Sequence, residues 1–143
     1  YRALGQGEQA LKLYQQSLHI ADRLAQAEPD RADYQRDLSI SYQRLGQCAA
    51  GLGRSEEAAA SLELHLQLAI KVYQKLSGQV DAVVDLAIAL HLTAGFNDDG
   101  IDRNQQSREL LEVLEADQRL PSYGQALLNN LRREQDPSPR QQI

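Results

Sequence analysis

The chain has 143 residues and a formal net charge of −5, with acidic and basic side chains interspersed, so it lacks the basic stripe of a nucleic-acid surface. Its single cysteine, Cys48, excludes an internal disulfide and any metal site built on a cysteine set, and fits a reducing, cytoplasmic setting. The longest apolar run, Ala82 to Leu92, contains Asp85 and His91 and falls well short of the roughly 20 residues that cross a bilayer.

The composition leans towards Leu, Ala, Gln, Glu and Arg, which are strong helix formers, and the breakers fall mostly between apolar-periodic segments, so an all-α chain is expected. The first helix is predicted from Glu8 to Ala27, with Ala10, Tyr14, Leu18, Ala21 and Leu24 on its apolar face. Glu28-Pro29-Asp30 breaks it, and Asp30 is the expected N-cap of the second helix. The second runs to about Leu52, with Tyr34, Leu38, Tyr42, Leu45 and Ala49 on one stripe, and Gly53 ends it. Ser55 is placed to cap a third helix, which carries Ala58, Leu62, Leu66, Ala69 and Tyr73 and stops at Ser77-Gly78.

The fourth helix, Val80 to Ala94, is apolar nearly all round and should be covered by the third, fifth and sixth helices or by a partner. A fifth is predicted over Asn104 to Arg119 with Leu110, Leu111 and Leu114 inward. Pro121-Ser122 opens a sixth through Leu127, Leu128 and Leu131, which closes a helical domain at residue 135. From Asp136 to Ile143 two prolines and no apolar period predict a disordered tail. Arg132-Arg133 meets Glu134 and Asp136 at once and reads as a solvated helix end.

A shift of 48 residues superposes Leu4-Gly5 on Leu52-Gly53, Glu8 on Glu56, Ala10 on Ala58, Leu18 on Leu66, Ala21 on Ala69 and Gln26 on Gln74. It also brings Asp33 onto Asp81, Asp37-Leu38 onto Asp85-Leu86, and Ile40 onto Ile88, eleven identities where composition alone gives about four. The unit of repetition is therefore a pair of helices.

Tyr42, Leu45-Gly46, Ala49, Gly53, Ala58 and Leu62 resemble the pattern of the tetratricopeptide repeat; the unit before supplies Tyr1, Gly5, Ala10, Tyr14 and Ser17, and the stretch from Leu4 to Leu18 is similar to the family's second helix. The resemblance covers 1–78 well and 79–119 weakly, with Thr93-Ala94-Gly95 in place of a Leu-Gly pair and a 48-residue period in place of about 34. It implies antiparallel helix pairs stacked as a right-handed superhelix, with Gly46 and Ala58 where two helices cross. Tyr1 then falls late in a first helix and the chain has no methionine, so the expectation is a piece of a longer array.

The resemblance further implies a protein-interaction scaffold or sensor module that binds a peptide, helix or neighbouring domain along its concave face. Arg36, Ser39, Gln43, Arg44 and Gln47 on the second helix, with Ile88 and His91 on the fourth, are the candidates to line that groove. The alternative is a self-assembly module, a homo-oligomer whose groove is filled by its own chain or by a copy. The Lys/Asn set with which some members of the family hold a peptide carboxylate is missing here.

Neither a cofactor nor a metal is expected. Asn97 to Asp102 resembles a calcium loop, but the frame that puts Gly100 at the turn puts Gly95 and Gln106 at the two key ligand positions. His19, His65 and His91 lie on three separate helices without ligand spacing. No phosphate loop, nucleophile elbow or pair of catalytic carboxylates is present, so an enzyme is not expected. Cys48 has no cation beside it in sequence and reads as a small buried hydrophobe.

Overall fold

The structure, a computed structural model, describes residues 2–76, 78–96 and 102–135. Asn97 to Ile101 of the acidic turn, Ser77 and the tail from 136 to 143 lie outside the described residues. Six helices follow in chain order: α1 (Arg2–Ala27), α2 (Ala32–Gly51), α3 (Ser55–Lys75), α4 (Val80–Ala94), α5 (Arg103–Ala116) and α6 (Ser122–Gln135). The described residues hold no strand, and no helix among them is long and apolar enough to cross a membrane. By contacts the chain divides into two compact units, Tyr1–Leu76 and Ser77–Ile143.

In the first unit α2 packs against both α1 and α3. Leu11 of α1, Ala49 of α2 and Ala58 of α3 form one buried cluster, flanked by Leu45, Cys48 and Leu52. The closest approach is at Gly46. A β-carbon there would lie 2.7 Å from Cγ and 2.8 Å from Cδ2 of Leu62, and 3.3 Å from the carbonyl oxygen of Ala58. Gly46 and Ala58 thus meet at the crossing of α2 and α3, as their small size predicts. Gly7 plays the same part between α1 and α2, where an added β-carbon would sit 2.7 Å from Leu52 Cδ2.

The break between α2 and α3 is a Schellman motif. Gly53 takes a left-handed φ of 78°, its N–H donates to Ala50 O at 3.0 Å, and Arg54 N–H donates to Ala49 O at 2.9 Å. Arg54 then reaches back to Glu8 on α1, its Nη2 lying 2.7 and 2.9 Å from the two carboxylate oxygens. Both side chains keep about two-fifths of their surface in water, so the pair adds little stability.

Three expectations change. α1 is already helical at Arg2 and runs unbroken through Gly5 and Gly7. Arg31, not Asp30, is the N-cap residue of α2, and Arg54, not Ser55, that of α3; neither side chain makes a capping hydrogen bond. The buried face of α1 is also rotated: Leu11 and Ala25 are its buried hydrophobics, while Leu24 is 45% exposed.

The second unit packs α4 against α5 and α5 against α6. Ala82, Val83, Val84, Leu86, Ala87, Ala89 and Leu90 are all buried, which accounts for the apolar sequence of α4. Ser107 Oγ of α5 donates to Ala87 O at 2.6 Å, and Gly124 of α6 lies against Val84. Two of the three helices expected to cover α4 are therefore in place within this unit.

α5 stops at Ala116, before the predicted Arg119, in a second Schellman motif. Here Gln118 takes the left-handed φ of 58°, while Arg119 N–H donates to Leu114 O at 2.9 Å and Gln118 N–H to Glu115 O at 3.0 Å. α6 is tied down by Leu128 and Leu131, both buried, and by Arg132, which donates to the Glu115 carboxylate at 2.6 and 3.2 Å. That guanidinium, with help from Gln125, holds the Glu115 carboxyl below the ordinary range.

Two measurements test these joints. Gly46→Leu should destabilise the protein by roughly 1–3 kcal/mol or more, although Leu gains about 1 kcal/mol of helix propensity over Gly. A variant that melts like the wild type would mean that α2 and α3 do not touch at Gly46. Gln118→Gly should stabilise by up to about 1 kcal/mol, because relief of about 1–2 kcal/mol of left-handed strain exceeds the entropy cost of glycine. A lowered melting temperature would rule out the left-handed cap.

Candidate functional site

α2 is the helix that presents most of the candidate residues, and packing on both sides fixes it. Its first turn is organised by Arg31. The guanidinium donates to both carboxylate oxygens of Asp33 at 3.1 and 2.7 Å and to the hydroxyl of Tyr34 at 2.9 Å, and lies 3.9 Å from the centre of that ring. The hydrogen bond from Arg31 holds the Asp33 carboxyl below its ordinary range and raises the guanidinium in turn. Further along, burial with added repulsion from Asp22 pushes the Tyr42 hydroxyl up.

Successive residues of a helix turn by about 100°, so Ser39, Gln43, Arg36 and Gln47 fall side by side on one edge of α2. The structure grades them by burial. Ser39 is buried, Arg36 and Gln43 are half-buried, and Gln47 is exposed. Arg44 lies further round the helix on the exposed side. Two long amides and a guanidinium thus form a polar edge that borders the α2–α3 seam.

Ser39 does not belong to that edge. At 2% exposure it is enclosed between α2 and α3, with its Oγ 2.7 Å from His65 Nδ1 and 3.1 Å from the carbonyl oxygen of His65. If the hydroxyl proton goes to that carbonyl, Nδ1 must carry a proton and donate to Oγ. His65 itself is 1% exposed, so its place in the sequence between Leu62 and Leu66 marks core. The spacing that would have revealed the pair is Ser39 seven residues before Gly46 and His65 three after Leu62, on helices that run antiparallel.

In the second unit Ile88 and His91 are half-buried on α4. His91 is not open on both ring nitrogens, because Nδ1 donates to Asn104 Oδ1 of α5 at 2.8 Å. The sequence marks Asn104 only as the start of a helix, and one-sided sequence patterns hold no signal for such a cross-helix bond. Cys48 is half-buried, and its thiol lies 3.7 Å from the Gly7 carbonyl oxygen between α1 and α2. Among the described residues no group of three or more His, Cys, Asp or Glu side chains is placed to hold a metal ion.

Comparison with protein-family models, with curated proteins and with solved structures finds no match to this chain.

Ser39→Ala should cost roughly 1–3 kcal/mol in urea unfolding, since it removes the group that the buried His65 Nδ1 meets. An unchanged unfolding midpoint would show that this contact does not hold α2 to α3.

Proposed function

We propose that the chain is a protein-interaction module, a tetratricopeptide-like array of antiparallel helix pairs working as a scaffold or sensor in the cytoplasm. Its partner is a peptide, a helix or a neighbouring domain laid along α2. The observation that carries this reading is the edge formed by Arg36, Gln43 and Gln47 on a helix pinned from both sides. A side chain on a fixed backbone loses little freedom when it binds, and that is the condition under which a few polar contacts give specificity.

Amides suit such a surface chemically. Each Gln side chain offers two donors and an acceptor, which matches the alternating N–H and C=O groups of an extended peptide. Partners that expose an extended backbone fit this edge better than purely apolar ones.

Selection of a displayed random-peptide library on the immobilised chain tests the reading. The expected result is a consensus peptide whose affinity falls about fivefold or more, roughly 1 kcal/mol, in the double variant Gln43→Ala/Gln47→Ala. That variant should melt within about 2 °C of the wild type, as surface changes do. No enriched consensus, or one indifferent to both substitutions, would overturn the assignment to this edge.

A further inference from the structure

α1 carries more apolar surface than its neighbours cover. Leu13 and Ile20 are each 62% exposed and Leu24 is 45% exposed, at spacings of seven and four that put all three on one side of the helix. Exposed leucines singly need no explanation, but a stripe of three along one helix marks a contact surface.

The internal repeat says what kind of contact. Ala10, Leu18 and Ala21 of α1 coincide with Ala58, Leu66 and Ala69 of α3 under the 48-residue shift. On α3 the surrounding face is occupied by α2, antiparallel to it. Leu62 and Ala58 meet Gly46, His65 meets Ser39, and Val72 lies with Ala32 and Gln35 around one shared cavity. The matching positions on α1 are Tyr14, Ala10, Ser17 and Leu24. His65 and Val72 are 1% and 3% exposed, whereas Ser17 and Leu24 are exposed. Ala10 and Tyr14 are half-buried, so the face that is filled on α3 is only partly covered on α1 and lies open at Ser17 and Leu24.

α2 supplies the far wall. Tyr34 and Asp37 border a groove of about 200 Å³ whose α1 side is Ser17, Ile20, Ala21 and Leu24. From these juxtapositions we infer that the open face of α1 is a docking site for a helix of the α2 type, running antiparallel to α1. That occupant presents a glycine or alanine to Tyr14, a small polar residue to Ser17 and an apolar residue to Leu24, and its flank lies against Tyr34 and Asp37. This surface is separate from the polar edge of α2, and it selects by shape and small residues where that edge selects by hydrogen bonds.

A capped, fluorescently labelled peptide of residues 30–53, the molecule's own α2, is the probe, and the binding partner is the whole 143-residue chain. Anisotropy titration should show saturable binding. Affinity should fall about tenfold or more with Leu24→Arg in the chain or Gly46→Leu in the peptide, and should be unchanged by Gln15→Arg, an exposed residue elsewhere on α1. Leu24 is exposed enough for the arginine to be tolerated, which circular dichroism and melting of the variant verify. Absence of binding overturns the inference, and binding indifferent to Leu24→Arg places the peptide elsewhere and overturns it equally. Reversible dimerisation in analytical ultracentrifugation that Leu24→Arg abolishes would assign the face to a second copy and reject the proposed occupant.

Discussion

At Gly46 the backbone of α2 comes so close to α3 that a β-carbon would overlap the Leu62 side chain and press on the Ala58 carbonyl. The other contacts across this seam rest on that approach. Seven residues before Gly46, a serine is short enough to reach a histidine ring on the facing helix only if the axes are close, and Ser39 does so at 2.7 Å. Ala58 and Ala49 are buried to within 1% for the same reason: small side chains fill the space completely where helices nearly touch. A bulkier residue at Gly46 would part the helices and leave Ser39 and His65 as buried polar groups without each other, the costly arrangement in a protein interior.

The first helix shows the same architecture with one neighbour fewer. Its sequence lays out an apolar face broad enough for two partners, and within its unit α2 covers only part of it. Leu11 and Ala25 are buried while Leu13, Ile20 and Leu24 face water. An aliphatic side chain left out of a core forgoes about 1.5–3 kcal/mol of burial. A sequence that keeps three of them on one stripe is better matched to an occupied surface than to an open one. In the second unit, by contrast, α4 is buried along most of its length, and its small residue positions, Ala82, Ala87 and Ala89, have no exposed surface to account for.

Much of the fold was legible in the residues. The six helices follow from periodicity and breakers, and the Gly46–Ala58 crossing follows from side-chain size, because a close approach admits few residue types. The left-handed end of α2 was legible because glycine stands there. The equivalent end of α5 was not, since Gln118 occupies the left-handed position and nothing in a glutamine announces it. Asp30 has the right chemistry for an N-cap, yet tertiary entry places Arg31 at that position, where its guanidinium is held by Asp33 and Tyr34. Polarity alone places Ser39 outward, and nothing on its own helix shows that a facing histidine satisfies it in the core. The rotation of α1 escaped for a related reason: the pattern records every apolar contact a helix is built for, not the ones its present neighbours make.

The two surfaces of the first unit are of opposite chemical kinds. Along α2 the burial gradient from Ser39 through Arg36 and Gln43 to Gln47 puts hydrogen-bonding groups at the margin of a dry seam. Water competes less well for donors at such a margin than for donors in bulk solvent, which is the property the proposed function draws on. Along α1 the open stripe is aliphatic, so the docking proposed there would depend on shape and on small residues of the incoming helix, as the packing at Gly46 does. In the second pair the positions of Arg36, Gln43 and Gln47 are taken by Val84, His91 and Gly95, so the polar edge belongs to α2 and is not repeated on α4. α1 and α3 share Ala10/Ala58, Leu18/Leu66 and Ala21/Ala69 across the repeat, and those shared positions are buried on α3 and only half-buried on α1.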